Sequence, residues 1–159
     1  MFCDHGADIS HTSISGMSPL VYAATKGYDD ICMYLSLRTE NVDTEDQQSG
    51  KNVFFIYLEK KDIIRMKQLL MRGADINYCN KKQGFTALHF AIENRFPVKV
   101  VRFLLKSKAN PHIEDLNGQD CCDKAQNIVK YKDVAKLTKY ECQHNPGLRV
   151  KPRGAQFNS

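Results

Sequence analysis

Six cysteines, Cys3, Cys32, Cys79, Cys121, Cys122 and Cys142, together with five histidines, are the side chains best equipped to bind a metal or attack a substrate. A small zinc module needs thiolates in pairs such as C-x2-C to close a tetrahedron. These cysteines are scattered and show no such spacing. The one conceivable grouping lies late in the chain, with Cys121, Cys122, Cys142, His112 and His144. Scattered thiols fit a reduced compartment better than a disulfide framework or a metal centre. No metal and no cofactor are expected. Catalytic patterns are missing too, since no Ser/His/Asp ordering, Gly-rich phosphate loop or H-E-x-x-H occurs. The acidic pairs at Asp29-Asp30 and from Asp43 to Asp46 fall on expected turns, where a solvated face accounts for them. The chain does not read as an enzyme.

The elements that would position these residues come from a chain of 159 residues, enough for one domain with a real core. No segment approaches the roughly 18 consecutive apolar residues of a spanning helix, so no membrane insertion is expected. The opening MFCDHGADIS turns polar almost at once and does not resemble a secretory signal. A cytoplasmic, intracellular location follows as the expectation. The net charge of +5 is unevenly placed. Residues 1–129 balance sixteen Lys or Arg against sixteen Asp or Glu, and all of the excess sits in 130–159.

Self-similarity organises the rest. Gly16, Gly50, Gly84 and Gly118 stand 34 residues apart. Each is followed by a comparable stretch, GMSPLVYAA, GKNVFFIYL, GFTALHFAI and GQDCCDKAQ. Comparable lead-ins precede them, HGADIS, TENVD, RGADINYCN and KANPHIEDLN. Apolar pairs recur between them at Leu35 and Leu37, Leu69 and Leu70, and Leu104 and Leu105.

GFTALHFA beside RGADIN resembles the ankyrin repeat, whose period is about 33 residues with a turn and two helices per unit. The resemblance covers about residues 1–138. It implies an all-α ankyrin-repeat solenoid of helix-turn-helix units with hairpin-like turns. The units are a partial repeat at 1–15, repeats at 16–49, 50–83 and 84–117, and a terminal repeat at 118–138, followed by a basic irregular tail at 139–159. Helices are predicted near 18–26, 30–37, 52–60, 63–71, 86–94, 98–106, 121–128 and 132–138. Thr86 can cap the first helix of its unit, and Gly73 suits a left-handed residue closing the second. His89 matches the family's motif histidine, which ties neighbouring turns by hydrogen bonds.

Departures from the pattern carry their own expectations. Asn52-Val53-Phe54-Phe55 replaces T-P-L-H, and Tyr57-Leu58 replaces two small residues. Such bulk should push helices apart or force local repacking. Lys61 stands where the first repeat has Gly27, predicting a looser turn. Arg95-Phe96-Pro97 lengthens the third inter-helix turn by a residue, with Pro97 suited to the first helical position. FCDHGADIS matches the end of a repeat, so the chain opens in mid-repeat and should leave Leu20, Tyr22 and Ile31 on an uncovered apolar face. The tail, YECQHNPGLRVKPRGAQFNS, has two prolines and two glycines and reads as a docking or irregular segment.

The resemblance implies protein binding on a concave face of hairpin tips and first helices. The tips are 45–49, 78–83 and 114–117, and the candidate contacts there are Asp46, Gln47, Gln48, Tyr78, Lys81 and Lys82. On the helix face they are Tyr22, Lys26, Glu59, Lys60, Glu93 and Asn94. Tyr78 beside Lys81 and Lys82 has the make-up of an interface anchor. Arg149, Lys151 and Arg153 in the tail could meet an acidic partner, but with no aromatic before Phe157 they lack the stacking rings of a nucleic-acid surface. The expected function is a non-catalytic protein–protein interaction module or scaffold, with a protein partner, no small-molecule substrate and no nucleic acid. Two other classes stand beside it: a structural subunit in a cytoskeletal or organellar assembly, and the ankyrin portion of a larger enzyme or channel.

Overall fold

A short helix holds only if its first amides find acceptors. Ser18, Asn52, Thr86 and Asp120 supply them, again at 34-residue intervals. Their side chains accept from the amides of Val21 (3.3 Å), Phe55 (3.1 Å), His89 (3.3 Å) and Asp123 (2.9 Å). The computed structural model describes residues 11–14 and 16–126, and its helices are α1 (Pro19–Lys26), α2 (Asp29–Ser36), α3 (Val53–Glu59), α4 (Ile63–Met71), α5 (Ala87–Glu93), α6 (Val98–Lys106) and α7 (Cys121–Gln126), the four caps opening α1, α3, α5 and α7. The described residues contain no strand. The bounds of α1 to α6 lie within a residue of those read from the sequence. The expected helix at 132–138, the tail and the opening nine residues lie outside the described residues.

The chain divides into two units after Asp75. In the first, α1 packs on α2 and α3, and α4 packs on α2 and α3. Its core is Val21, Phe54, Phe55, Tyr57, Leu58, Met66 and Leu69, all essentially inaccessible. At about 1.5–3 kcal/mol for each large apolar side chain taken from water, this cluster dominates the unit's stability. In the second unit α5 packs on α6 and α7. Leu88, His89, Ile92, Val101, Leu104 and Cys121 fill that core.

Several expectations from the sequence need correction. The turn at Lys61 is as tight as the one at Gly27. Lys61 takes a left-handed φ of 57°, and the Asp62 amide closes on the Tyr57 carbonyl at 3.0 Å, as the Tyr28 amide closes on Ala23 at 2.9 Å. Arg95, 34 residues on, does the same with φ 52°. The cost of a side chain there is borne as backbone strain, not as a longer turn. The bulk of the second repeat is taken into the core of the first unit. Tyr57 is fully buried and its hydroxyl donates to Asp29 Oδ1 at 2.8 Å. Leu20 is buried, while Tyr22 and Ile31 are half exposed. Pro97 sits one position before α6, as its N-cap.

Candidate functional site

Each hairpin-like turn is headed by a buried Asx residue whose side chain satisfies the turn's own amides. Asp46 accepts from Ser49 at 2.8 Å, Asn80 from Gln83 at 3.1 Å and Phe85 at 3.0 Å, and Asp115 from Asn117 at 2.8 Å and Gln119 at 3.0 Å. This is the Asx-turn device, in which a side-chain oxygen mimics a backbone acceptor. Asp46 is 3% exposed. Its carboxylate therefore builds the tip. Gln47 and Gln48 are exposed beside it.

In the first unit, the turn 46–51 and the helices α1 and α3 enclose a groove of about 450 Å³. Met17, Val21 and Ile56 give it an apolar floor, and Thr25, Lys51, Glu59 and Lys60 a polar rim. The rim is held in place. Lys51 Nζ donates to Glu59 Oε1 at 2.6 Å. Lys60 Nζ donates to the Ala24 carbonyl at 2.7 Å and lies 5.2 Å above the Tyr57 ring. Of the residues singled out from sequence, Asp46, Glu59 and Lys60 line this groove. Tyr22 and Lys26 are exposed on α1, with the Lys26 ammonium 5.7 Å over the Tyr22 ring. The second unit carries Lys81, Lys82, Glu93 and Asn94 exposed and Tyr78 half-buried. Arg149, Lys151 and Arg153 lie outside the described residues.

His89 is wholly buried. Its Nδ1 faces the Thr86 amide at 3.3 Å, and its Nε2 faces the Gln119 carbonyl at 3.2 Å. An amide can only donate and a carbonyl only accept, which fixes the neutral Nε2–H tautomer. Burial lowers the His89 pKa, outweighing the Gln119 carbonyl that favours the charged form. The imidazole thus joins α5 to the turn before α7, as the motif implied. Lys124 is a second brace that the sequence did not disclose. Its ammonium reaches Asp115 Oδ2 at 3.0 Å and Glu93 Oε2 at 3.3 Å, and lies 4.8 Å over the Phe85 ring. Burial alone would lower the Lys124 pKa, but Asp115 and Glu93 outweigh it and raise it.

A profile described as ankyrin repeats, in three copies, matches residues 20–115. The chain belongs to the ankyrin-repeat family. Among curated relatives, the 2-5A-dependent ribonuclease of Mus musculus is 41% identical over 61 residues, covering 38% of this chain and 8% of that protein. An ankyrin repeat protein of fowlpox virus, FPV024, is 32% identical over 63 residues, 40% of this chain and 10% of its own. The regulatory protein NPR3 of Arabidopsis thaliana is 30% identical over 105 residues, 66% of this chain and 17% of its own. The matched stretches span less than a fifth of each of these relatives. Ankyrin repeats are general protein-interaction modules. No helix among the described residues is long and apolar enough to cross a membrane.

Proposed function

We propose that this chain is a non-catalytic protein-interaction module that takes an extended segment of a partner protein in the groove of the first unit. The observation that carries this reading is the pairing of an apolar floor, Met17, Val21 and Ile56, with a pre-set charged rim, Lys51, Glu59 and Lys60. A floor of this kind supplies desolvation, and fixed rim charges supply register and discrimination. Because Lys60 is already tied to the Ala24 carbonyl and Lys51 to Glu59, little side-chain freedom is lost on binding. Gln47, Gln48, Tyr22 and Lys26 flank the groove as further contacts. Tyr78, Lys81, Lys82, Glu93 and Asn94 offer a separate surface on the second unit. The cysteines Cys32, Cys79, Cys121 and Cys122 form no disulfide, which suits a reducing cytoplasm.

The test places a photo-cross-linking residue at Thr25, exposed on the rim, and in a second chain at Lys67, exposed on α4 away from it. The expected outcome is one partner trapped at position 25, lost when Lys51→Glu reverses the rim charge, with the melting temperature unchanged. Equal trapping at 25 and 67 would remove the groove from consideration. A second reading, the ankyrin portion of a larger enzyme or channel, is supported by the small shares, 8%, 10% and 17%, that the matches take of the relatives' lengths. Immunoblotting of native extract distinguishes the two, since a larger protein runs well above the 18.2 kDa of this chain.

A further inference from the structure

We propose that His112, Asp120 and Cys122 form a mononuclear site for a divalent, borderline-soft metal ion, with zinc the best-suited occupant. No C-x2-C pair announces the site, and the late grouping read from the sequence held His112 and Cys122 without Asp120. The fold brings them together. One ligand atom from each lies within 4.8 Å of the other two, and all three residues are buried, at 9%, 3% and 8% exposure. His112 Nδ1 stands 3.7 Å from Asp120 Oδ2. Two donors about 2.0–2.1 Å from one tetrahedral zinc lie about 3.4 Å apart, so this pair needs to close by only a few tenths of an ångström.

The backbone holds each donor where the site needs it. The His112 amide donates to Asn110 Oδ1 at 2.9 Å, and the Cys121 amide donates to the Pro111 carbonyl at 3.0 Å, which ties the loop before the turn to the start of α7. Asp120 divides its carboxylate. Oδ1 accepts the Asp123 amide as the helix cap, while Oδ2 is the oxygen facing the imidazole. Cys122 follows two residues later in the first turn of α7. The nearby Lys124 ammonium does not oppose a cation here, because Asp115 and Glu93 hold it.

The donor set selects the ion. One imidazole, one thiolate and one carboxylate suit zinc, whereas calcium and magnesium require an oxygen shell. With Asp120 ionised, Cys122 as thiolate and His112 neutral, the donors carry two negative charges, which a divalent ion neutralises in a buried setting. Binding releases the thiol proton to solvent and changes no oxidation state. Three protein donors leave a fourth position to water, and the ion clamps the 109–120 loop to α7.

Cobalt is the probe, since thiolate coordination gives a near-ultraviolet charge-transfer band and tetrahedral geometry gives intense visible bands. The full chain, stripped with chelator, is titrated with cobalt and separately loaded with zinc for elemental analysis after gel filtration. The expected result is one ion per chain, a charge-transfer band displaced by zinc, and loss of that band in Cys122→Ser but not in Cys79→Ser. Asp120→Asn keeps a capping side chain, so it should fold and yet bind at least about tenfold more weakly, the lower range for disturbing a metal's surroundings. His112→Gln should behave likewise. Absence of stoichiometric metal in the native chain, a band that survives in Cys122→Ser, or equal affinity in folded Asp120→Asn overturns the proposal.

Discussion

At Gly84 the backbone φ is +68°, and a β-carbon there would stand 2.9 Å from the Leu116 amide nitrogen, which itself donates to Gln83. At Gly27 φ is +80°, but nothing lies within 4 Å. Alanine at Gly27 should cost about 1–2 kcal/mol, the price of a left-handed L-residue, whereas at Gly84 a backbone clash adds about 1–3 kcal/mol. Urea denaturation of the two variants checks this, and equal losses would refute the close approach. The same glycines were plain in the sequence through their 34-residue spacing, but the crowding at only one of them was not, because it depends on where Leu116 folds back. Likewise Thr86 and His89 could be read from the motif. Asp46, Asn80 and Asp115 could not, since a lone Asx in a turn looks the same whether it faces a partner or its own amides. His89 makes a pH prediction. Its folded form stays neutral, so the unfolded chain binds a proton that the folded chain refuses as pH falls below about 6.5. The stability contributed by the neutral imidazole is complete above that pH and declines on acidification. His89→Gln should flatten the fall in denaturation midpoint between about pH 7.5 and 5.5 relative to the native chain. A difference between the two that does not change with pH would assign the midpoint's decline to other groups.

Among elements, α3 departs furthest from its family and shows how a helix can keep a fold while changing its packing. The repeat pattern places small residues where Tyr57 and Leu58 stand, so restoring alanine would ordinarily count as an improvement. Here both side chains are completely buried, and Tyr57 reaches Asp29 at the start of α2. Tyr57→Ala should therefore destabilise by about 3–5 kcal/mol through the cavity it leaves. Tyr57→Phe should lose only the hydrogen bond, about 1 kcal/mol. Thermal denaturation ranks the two, and a stabilised Tyr57→Ala would mean that the bulk is strain. The helix boundaries were readable because caps and apolar pairs are local signals. The contact of Tyr57 with Asp29 was not, since it joins residues 28 positions apart.

For the molecule as a whole, charge is distributed by position along the chain: residues 1–129 are formally neutral and 130–159 carry the excess. All described helices lie within 19–126, and their family was legible from the resemblance of GFTALHFA and RGADIN, recurring in register, to the ankyrin repeat. The groove was hidden from that reading, because its floor and rim come from a turn and two helices distant in sequence, Met17 to Lys60. Deleting residues 140–159 removes Arg149, Lys151, Arg153 and Glu141 and lowers the formal charge from +5 to +3. Because the deletion leaves every described helix and both buried cores intact, far-ultraviolet circular dichroism and the melting temperature should change little. Association with an acidic partner should slow and weaken, since net charge acts at a distance on encounter rates. Salt tests the origin of that loss. Exposed charges are screened within about 8 Å at physiological ionic strength, so raising the salt should erase the difference between full-length and shortened chains. A difference that persists at high salt would mean that the last twenty residues make packed contacts with the partner, and their contribution would then belong to shape instead of charge.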